Sequence, residues 1–374
     1  LGYYNNTTSQ GRSLIQATGP GGISITGVGG TLEGISTNGT GFLSASGPIV
    51  LDGGVKGISF ATWIGGGYSL AVTPMGRCAV ATCTNSLVTA SSANITLIGD
   101  TLVPSTGVNT HTSGTLTLKP SSSSFTNALS WPVSNLNLST DVSGLTIGKD
   151  LGNTAHTDTV TIGGTTSIKG PINIYAGNII VNAGLSSTAA GQGIKLMASG
   201  NIYTNTPNLT LSTNGGDVLL ASDTDNSGAG QIALDRTTIT TSGGNITLGG
   251  GYDGSQGTGL YSATANAPGV LMTTNTIDAA GGNIKIYGRN TATYDDGVRI
   301  AGSTITTSGS GTIGIYGDSY GGYTSAATYN GVTFSAGGTT VQTDSGAIDV
   351  VGVLTNANHA YASGVSFFNN VATI

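Results

Sequence analysis

The sequence predicts an all-β protein built as a parallel β-helix, a solenoid whose short strands stack in rungs. Three observations lead to this class. A motif of two β-prone runs around a Gly/Ser corner recurs, its apolar residues alternate with polar ones, and no helical segment separates the copies. Repeats of roughly 20–50 residues that cannot bury an apolar face alone indicate a stacked solenoid. Because the apolar residues follow the two-residue period of strands, the stacked units should be strands.

The repeat is clearest between residues 235 and 317. One copy reads Thr-Ile-Thr-Thr-Ser-Gly-Gly-Asn-Ile-Thr-Leu-Gly (238–249), and the next reads Thr-Ile-Asp-Ala-Ala-Gly-Gly-Asn-Ile-Lys-Ile-Tyr-Gly (276–288). A third copy follows at 304–317 with one extra residue in its corner. Each copy therefore predicts two strands joined by a tight turn.

One glycine before the second run of each copy serves as an anchor for comparing the copies: Gly216, Gly244, Gly282, Gly311 and Gly346. Apolar residues stand two and four positions after each anchor. Another stands five positions before it, or six before Gly311. Residues two apart share one face of a strand, so these side chains should line the interior while Thr, Asn and Lys face outward. The anchors are unevenly spaced, which indicates fixed strands joined by loops of varying length.

The composition argues against several other classes of protein: disordered, nucleic-acid-binding and membrane-spanning. The 374 residues include 63 glycines, 37% are hydrophobic, only 7% are charged, and the net charge is −6. Alternating apolar residues argue against disorder, and the glycines suit a fold with frequent tight corners. Lysines and arginines are scattered singly, without the basic patch that nucleic-acid binding requires. The sequence contains no apolar run of about 18 residues, so it predicts no membrane-spanning helix.

The repetition predicts one continuous β-helix segment over residues 1–374. Residues 60–93 break the rhythm and contain Trp63 and both cysteines, which indicates an irregular insertion or flap. Polar loop excursions, at 250–266 and 318–331 among others, are expected on the outside, where solenoids often carry binding. Because the sequence begins at Leu1 without an initiator Met or signal, we expect a processed product or a segment of a longer chain.

The motif at 238–249 and the block Ala-Gly-Asn-Ile-Ile-Val-Asn-Ala-Gly with Gly-Ile-Lys-Leu-Met-Ala-Ser-Gly-Asn-Ile (176–202) resemble filamentous-haemagglutinin-like exoproteins. These are large adhesins of Gram-negative bacteria, exported by two-partner secretion. The resemblance covers most of 94–352 well and 1–60 loosely, and it implies a right-handed parallel β-helix at or beyond the cell surface. The Asn-Pro-Asn motif of that family's secretion domain does not occur here, so we expect a part of the stalk.

Cys78 and Cys83 are the only cysteines. Two thiols cannot complete a tetrahedral zinc site without further ligands, and His111, His156 and His359 are remote in sequence. In an exported protein a local disulfide between the two is expected. The alternative is a pair of buried free thiols.

No cofactor or metal is predicted, although one stretch partly matches a calcium-binding loop. Asp223, Asp225 and Gly228 match the first half of an EF-hand calcium loop, but its twelfth position is Leu234 instead of Glu. Strings of Asp, Asn and Gly are usually turns. A plain turn is therefore expected, with calcium binding as the alternative.

Two tyrosines, Tyr287 and Tyr316, occupy the same position after their anchors. If consecutive rungs stack, the two rings should form an aromatic ladder on the outer surface or at a corner. Such a ladder either holds sugars or only stabilises the stack, and the second role is the expected one.

No catalytic residues are predicted. Acid–base chemistry needs paired groups at fixed separation in a cleft, and the acidic groupings are only Asp295–Asp296 with Arg299, and Asp217 with Asp235. The sequence therefore predicts a non-enzymatic, structural or adhesive segment of a secreted or cell-surface filamentous protein. Its expected partners are neighbouring β-helix segments and a surface glycan or protein receptor. The alternative is a polysaccharide lyase or hydrolase, which a carboxylate cluster at rung spacing in a groove would favour.

Overall fold

The computed structural model of the chain describes residues 13–17, 20–38, 40–44, 47–61, 92–104, 108–110, 112–133, 136–138, 142–227, 230–251, 262–264, 268–290, 295–319, 322–324, 327–335, 337–355 and 362–368. The chain divides into two compact units, Leu1–Lys149 and Asp150–Ile374, and each is described by itself. That one β-helix runs continuously over residues 1–374 stays a prediction. Of the predicted insertion at 60–93, residues 62–91 lie outside the described part of the chain.

The described residues of the first unit form short strands and one 3₁₀ turn, Gly54–Lys56. Its strands are β1 (Ser13–Ala17), β2 (Ile23–Thr26), β3 (Ile35–Asn38), β4 (Thr40–Ser44), β5 (Ile49–Asp52), β6 (Ile58–Ala61), β7 (Ile95–Ile98), β8 (Leu102–Pro104), β9 (Val108–Thr110), β10 (Thr115–Lys119), β11 (Leu129–Trp131), β12 (Leu136–Leu138) and β13 (Gly144–Ile147). Strands β2, β5, β7, β10 and β13 pair in that order, as do β3, β6 and β8. All of these pairs are parallel.

The second unit continues with strands of three to seven residues. They are β14 (Thr159–Ile162), β15 (Thr166–Ile168), β16 (Ile172–Ala176), β17 (Asn178–Val181), β18 (Leu185–Ala190), β19 (Ile194–Ala198), β20 (Ile202–Thr204), β21 (Thr210–Asn214), β22 (Val218–Ser222), β23 (Ile232–Asp235), β24 (Thr238–Thr240), β25 (Ile246–Gly250), β26 (Ser262–Thr264), β27 (Val270–Thr273), β28 (Thr276–Asp278), β29 (Ile284–Asn290), β30 (Val298–Ala301), β31 (Thr304–Thr307), β32 (Ile313–Ser319), β33 (Gly322–Thr324), β34 (Ala327–Tyr329), β35 (Val332–Ser335), β36 (Thr340–Thr343), β37 (Ile348–Leu354) and β38 (Val365–Phe368).

These strands form three parallel sheets that the chain visits in turn. The long sheet has the order β16-β19-β22-β25-β29-β32-β37, the second sheet β14-β17-β20-β23-β27-β30-β35-β38, and the third sheet β15-β18-β21-β24-β28-β31-β36. Strands β33 and β34 form an antiparallel hairpin beside them. Parallel crossover connections are almost always right-handed. The fold class is that of a right-handed parallel β-helix, as the sequence predicts.

The interior ladders follow the anchor frame. On the long sheet Val218, Ile246, Ile284, Ile313 and Ile348 are register partners, and the first four are at most 1% exposed. On the third sheet the ladder consists of Leu211, Ile239, Ile277, Ile305 and Val341, all fully buried. The predicted register is confirmed in both sheets. The extra residue before Gly311 is absorbed by the corner.

Two adjacent glycines in a corner have different roles. Gly243 adopts φ 110° and Gly281 adopts φ 112°, a region that side chains with a Cβ rarely enter. A Cβ on the anchor Gly282 would collide with the carbonyl oxygen of Gly244, one rung below. The anchor is therefore glycine because successive backbones approach closely, and the residue before it supplies the positive φ.

Side chains reinforce the corners between rungs. Asp217 Oδ1 accepts the backbone N–H of Asn245, whose own Oδ1 accepts that of Asn283. Asn283 Oδ1 in turn accepts the N–H of Thr312. This corner ladder satisfies backbone donors that a turn would leave to water.

Among the described residues, no helix is long and apolar enough to cross a membrane.

Candidate functional site

Cys78 and Cys83, the residues of the predicted disulfide, lie outside the described part of the chain, as do His111 and His359. The disulfide between Cys78 and Cys83 therefore stays a prediction. His156 is buried, with its Nδ1 atom 4.0 Å from Oδ1 of the equally buried Asp158. Within the described ranges, no group of three or more His, Cys, Asp or Glu side chains is arranged to hold a metal ion.

The stretch from Asp223 to Ser227 is a turn. Asp223 and Asn226 adopt positive φ angles of 51° and 54°, and the N–H of Asn226 donates to the carbonyl oxygen of Asp223. The Ser227 hydroxyl donates to Asp223 Oδ1 at 3.2 Å. Asn and Asp tolerate this backbone region because their side chains bond locally. The turn is confirmed.

The two predicted ladder tyrosines stack. The ring centroids of Tyr287 and Tyr316 are 4.8 Å apart and the planes differ by 11°. The Tyr316 hydroxyl donates to Asp349 Oδ2 at 3.0 Å, on the next rung. A Cβ on Gly314 would lie 2.6 Å from the Tyr316 ring, so the ring lies across that glycine. Because the two rings cover each other's inner faces, the arrangement favours the stabilising role over sugar stacking.

Asp295, Asp296 and Arg299 form an ion-pair cluster at the corner before β30. Arg299 donates from Nε to Asp296 Oδ2 and from Nη2 to Asp295 Oδ1, both at 2.6 Å. Asp296 is 1% exposed and its Oδ1 also accepts the backbone N–H of Asn330. Burial raises the pKa of Asp295 above its ordinary value, against the lowering by Arg299. Burial acts to lower the pKa of Arg299, but the carboxylates of Asp296 and Asp295 together outweigh it and raise that pKa above its ordinary value.

The second predicted acidic grouping is divided between different partners. Asp217 belongs to the corner ladder through Asn245, whereas Asp235 pairs with its exposed neighbour Arg236 at 2.6 Å. The structure therefore gives these two carboxylates separate structural roles.

The outer surface of the third sheet carries two parallel rows of short polar side chains, which we call the hydroxyl face. One row runs through Thr210, Thr238, Thr276, Thr304 and Thr340, and the other through Ser212, Thr240, Asp278, Thr306 and Gln342. Neighbouring strands are about 4.8 Å apart, and β-branched Thr side chains have few rotamers. The hydroxyls are therefore held at regular intervals along the axis.

At one end of the hydroxyl face lies a shallow depression of about 270 Å³, which we call the acidic depression. It is lined by Asp278, Ala280, Thr306, Thr307, Ser308, Gln342 and Asp344. Its walls are three successive strands, β28, β31 and β36. Asp278 Oδ1 accepts the N–H of Ala280, and Asp344 Oδ2 accepts the N–H of Gly309, both at 2.9 Å. Two carboxylates thus stand two rungs apart at one concave site.

The residues of the acidic depression were not singled out from the sequence. The signal was present, since Asp278 and Gln342 both stand four positions before their anchors, Gly282 and Gly346. The outward residue at this position is Thr240 in the copy of Gly244. The rungs of Gly282 and Gly346 thus differ in carrying a carboxylate (Asp278) and an amide (Gln342) where the rung of Gly244 carries a hydroxyl.

Comparison of the chain with protein-family models, curated proteins and solved structures gives no match. The fold therefore rests on the strand register, and the resemblance to filamentous-haemagglutinin-like exoproteins rests on the motifs alone.

Proposed function

We propose that the chain is a structural and adhesive segment of a large filamentous protein, secreted or held at the bacterial cell surface. One observation supports this most: successive rungs of the second unit are joined by three parallel sheets, and the rungs of Asp217, Asn245, Asn283 and Thr312 also by a side-chain ladder in the corner. A stack bonded on every side resists bending and shear. Such an element suits a spacer that holds a binding surface away from a cell.

Binding on such a spacer falls to the parts that project from the rungs. The excursion at 318–331 includes the hairpin of β33 and β34, which pairs with itself. The excursion at 250–266 includes β26, which pairs with the end of β29. Loops on a rigid scaffold commonly carry recognition, and their receptor in this proposal is a glycan or a protein on another surface.

The proposed location is extracellular or at the surface of a Gram-negative cell. It is supported by the motif resemblance, and it predicts a Cys78–Cys83 disulfide, since disulfides persist in oxidising compartments. Alkylation of the purified native protein tests the second point. Both thiols are expected to resist alkylation until a reductant is added, and immediate labelling of both would oppose an exported protein.

Electron microscopy of the native protein, on cells and shed from them, tests the stalk directly. Thin rods with an axial repeat of about 4.8 Å are expected. Compact, free particles would contradict a stalk or filament.

A second candidate is a polysaccharide lyase or hydrolase, and the acidic depression is the observation that favours it. Asp278 and Asp344 both line the acidic depression. In the separate ion-pair cluster before β30, burial raises the pKa of Asp295, as it does for many acid catalysts. We nevertheless propose a non-catalytic role, because each of these carboxylates already accepts a structural hydrogen bond. Polymer cleavage that disappears in Asp278→Asn or Asp295→Asn would establish the enzyme instead.

A further inference from the structure

We propose that the acidic depression and the adjoining hydroxyl face bind a neutral glycan lying along the helix axis. The inference supplies a ligand class and a sheet surface for the adhesive role proposed above. It rests on that role for its biological setting only, because binding is measured without reference to a stalk.

The first argument is the availability of hydrogen-bonding groups. Elsewhere in the corners, polar side chains are used between rungs: Thr241 Oγ1 donates to the carbonyl oxygen of Ala279, and Thr343 Oγ1 to that of Gly311. In the acidic depression, by contrast, no hydrogen bond to any described residue involves the Thr306 hydroxyl, the Ser308 hydroxyl or the Gln342 amide.

The carboxylates add directed acceptors. Asp278 uses Oδ1 for the N–H of Ala280, and Asp344 uses Oδ2 for the N–H of Gly309. These bonds fix the orientation of each carboxylate, and within the described structure its second oxygen has no bonding partner. A held carboxylate oxygen accepts from a ligand hydroxyl with a charge-assisted bond, about twice as strong as a neutral one.

The chemistry of these groups selects the ligand. Hydroxyls and the Gln342 amide both donate and accept, whereas the carboxylates only accept. A ligand made of hydroxyl groups satisfies all of them at once, because each of its hydroxyls also donates and accepts. Since the site holds two carboxylates in a chain of net charge −6, repulsion disfavours uronate or sulfated glycans.

The geometry favours a chain over a single sugar. Three rungs line the acidic depression, so its length is about 10 Å. Its volume of about 270 Å³ lies just below the usual range for small-molecule pockets. The hydroxyl face continues from it at the same rung spacing through Thr240 and Thr238. A glycan that fills the depression therefore has further hydroxyl partners along the same rows.

Isothermal titration of the whole chain with cellohexaose, xylohexaose, mannohexaose and maltohexaose tests the proposal, with hexagalacturonate as the anionic comparison. At least one neutral hexasaccharide is expected to bind with a Kd below about 1 mM. Hexagalacturonate is expected to bind at least about tenfold more weakly, because of repulsion by the two carboxylates.

Variants locate the site. Thr306→Ala and Gln342→Ala are each expected to weaken binding about three- to tenfold, the equivalent of one lost hydrogen bond. Thr247→Ala is the matched control, since Thr247 is an equally half-buried outward Thr on the long sheet. Circular dichroism of each variant verifies its fold.

The proposal is overturned if no neutral hexasaccharide binds at about 10 mM, if hexagalacturonate binds equally well, or if both depression variants bind like the control. None of these results bears on the stalk, which microscopy tests separately.

Discussion

The backbone N–H of Asn283 donates to Oδ1 of Asn245, a residue 38 positions earlier in the chain, at 2.9 Å. Asn283 makes the same kind of contact with the following rung, where its own Oδ1 accepts hydrogen bonds from both the N–H and the hydroxyl of Thr312. The loop between the two asparagines is long, yet the corner is as closely tied as its neighbours. The stack thus tolerates loops of different length because register is held at the corners as well as in the sheets.

Asn283→Ala is expected to lower the free energy of unfolding by about 1 kcal/mol, since it leaves the Thr312 N–H without its acceptor. Urea denaturation gives the shift in midpoint. Asn283→Asp is the matched control, because it keeps the accepting oxygen and is expected to remain close to the parent. Equal losses in the two variants would mean that the ladder contributes nothing specific.

The stacked pair Tyr287 and Tyr316 offers a second test. A double-mutant cycle with Tyr287→Leu and Tyr316→Leu is expected to give a coupling energy of about 0.5–1.5 kcal/mol, the usual value for aromatic pairs. Denaturation midpoints of the four proteins supply it. Tyr316→Phe keeps the stack and removes only the bond to Asp349, so its loss should be smaller than that of Tyr316→Leu. Additive single effects would show that the rings are merely adjacent.

Much of the fold could be predicted because its determinants are local and periodic. The spacing of Ile246 and Leu248 after Gly244 recurs in every copy and specifies both strand and register. The tyrosine stack followed from the same frame, because residues at equal positions in successive copies become neighbours. Repetition turned a one-dimensional pattern into three-dimensional contacts.

The candidate site was harder to predict because it depends on which side chains are left unused. Thr306 and Thr307 are adjacent and both line the acidic depression, yet the Thr307 hydroxyl donates to the Gly282 carbonyl whereas the Thr306 hydroxyl bonds to no described residue. Likewise, the sequence groups Asp295, Asp296 and Arg299, but only the structure shows that Arg299 pairs with both carboxylates. Sequence indicates which residues are polar, and packing decides which are available.

Gly282→Ala tests the close approach of successive corners. The added Cβ meets the Gly244 carbonyl, so an expected destabilisation of about 1–3 kcal/mol reflects overpacking against backbone that cannot move aside. Gly21→Ala is the control, since nothing lies within 4 Å of its added Cβ. Thermal unfolding of both variants is the measurement, and an unchanged Gly282→Ala would contradict the stacked-glycine corner.

Arg299→Met tests the buried ion pair. The substitution keeps much of the side-chain volume but leaves Asp296, 1% exposed, without its counter-charge. A loss of about 3 kcal/mol is expected, at the lower end of the range for broken buried pairs, because the Arg299 side chain is 32% exposed. The double variant Arg299→Met with Asp296→Asn is expected to recover part of that loss. If it recovers nothing, lost packing rather than the unpaired charge explains the single variant.

The pH dependence of Asp295 gives a separate test of the same corner. Burial raises its pKa above the ordinary value of 3.8, so the folded protein binds this proton more tightly than the unfolded chain. The stability that Asp295 contributes is therefore greatest below pH 3.8 and falls as pH rises through its folded pKa. Relative to Asp295→Asn, which cannot titrate, the parent is expected to lose stability from about pH 4 upward. Urea midpoints of both proteins between about pH 3 and pH 7 measure the difference. If the parent instead becomes more stable relative to Asp295→Asn as the pH rises over this range, pairing with Arg299 outweighs burial. The carboxyl of Asp295 would then have a lower pKa in the folded protein than in the unfolded chain.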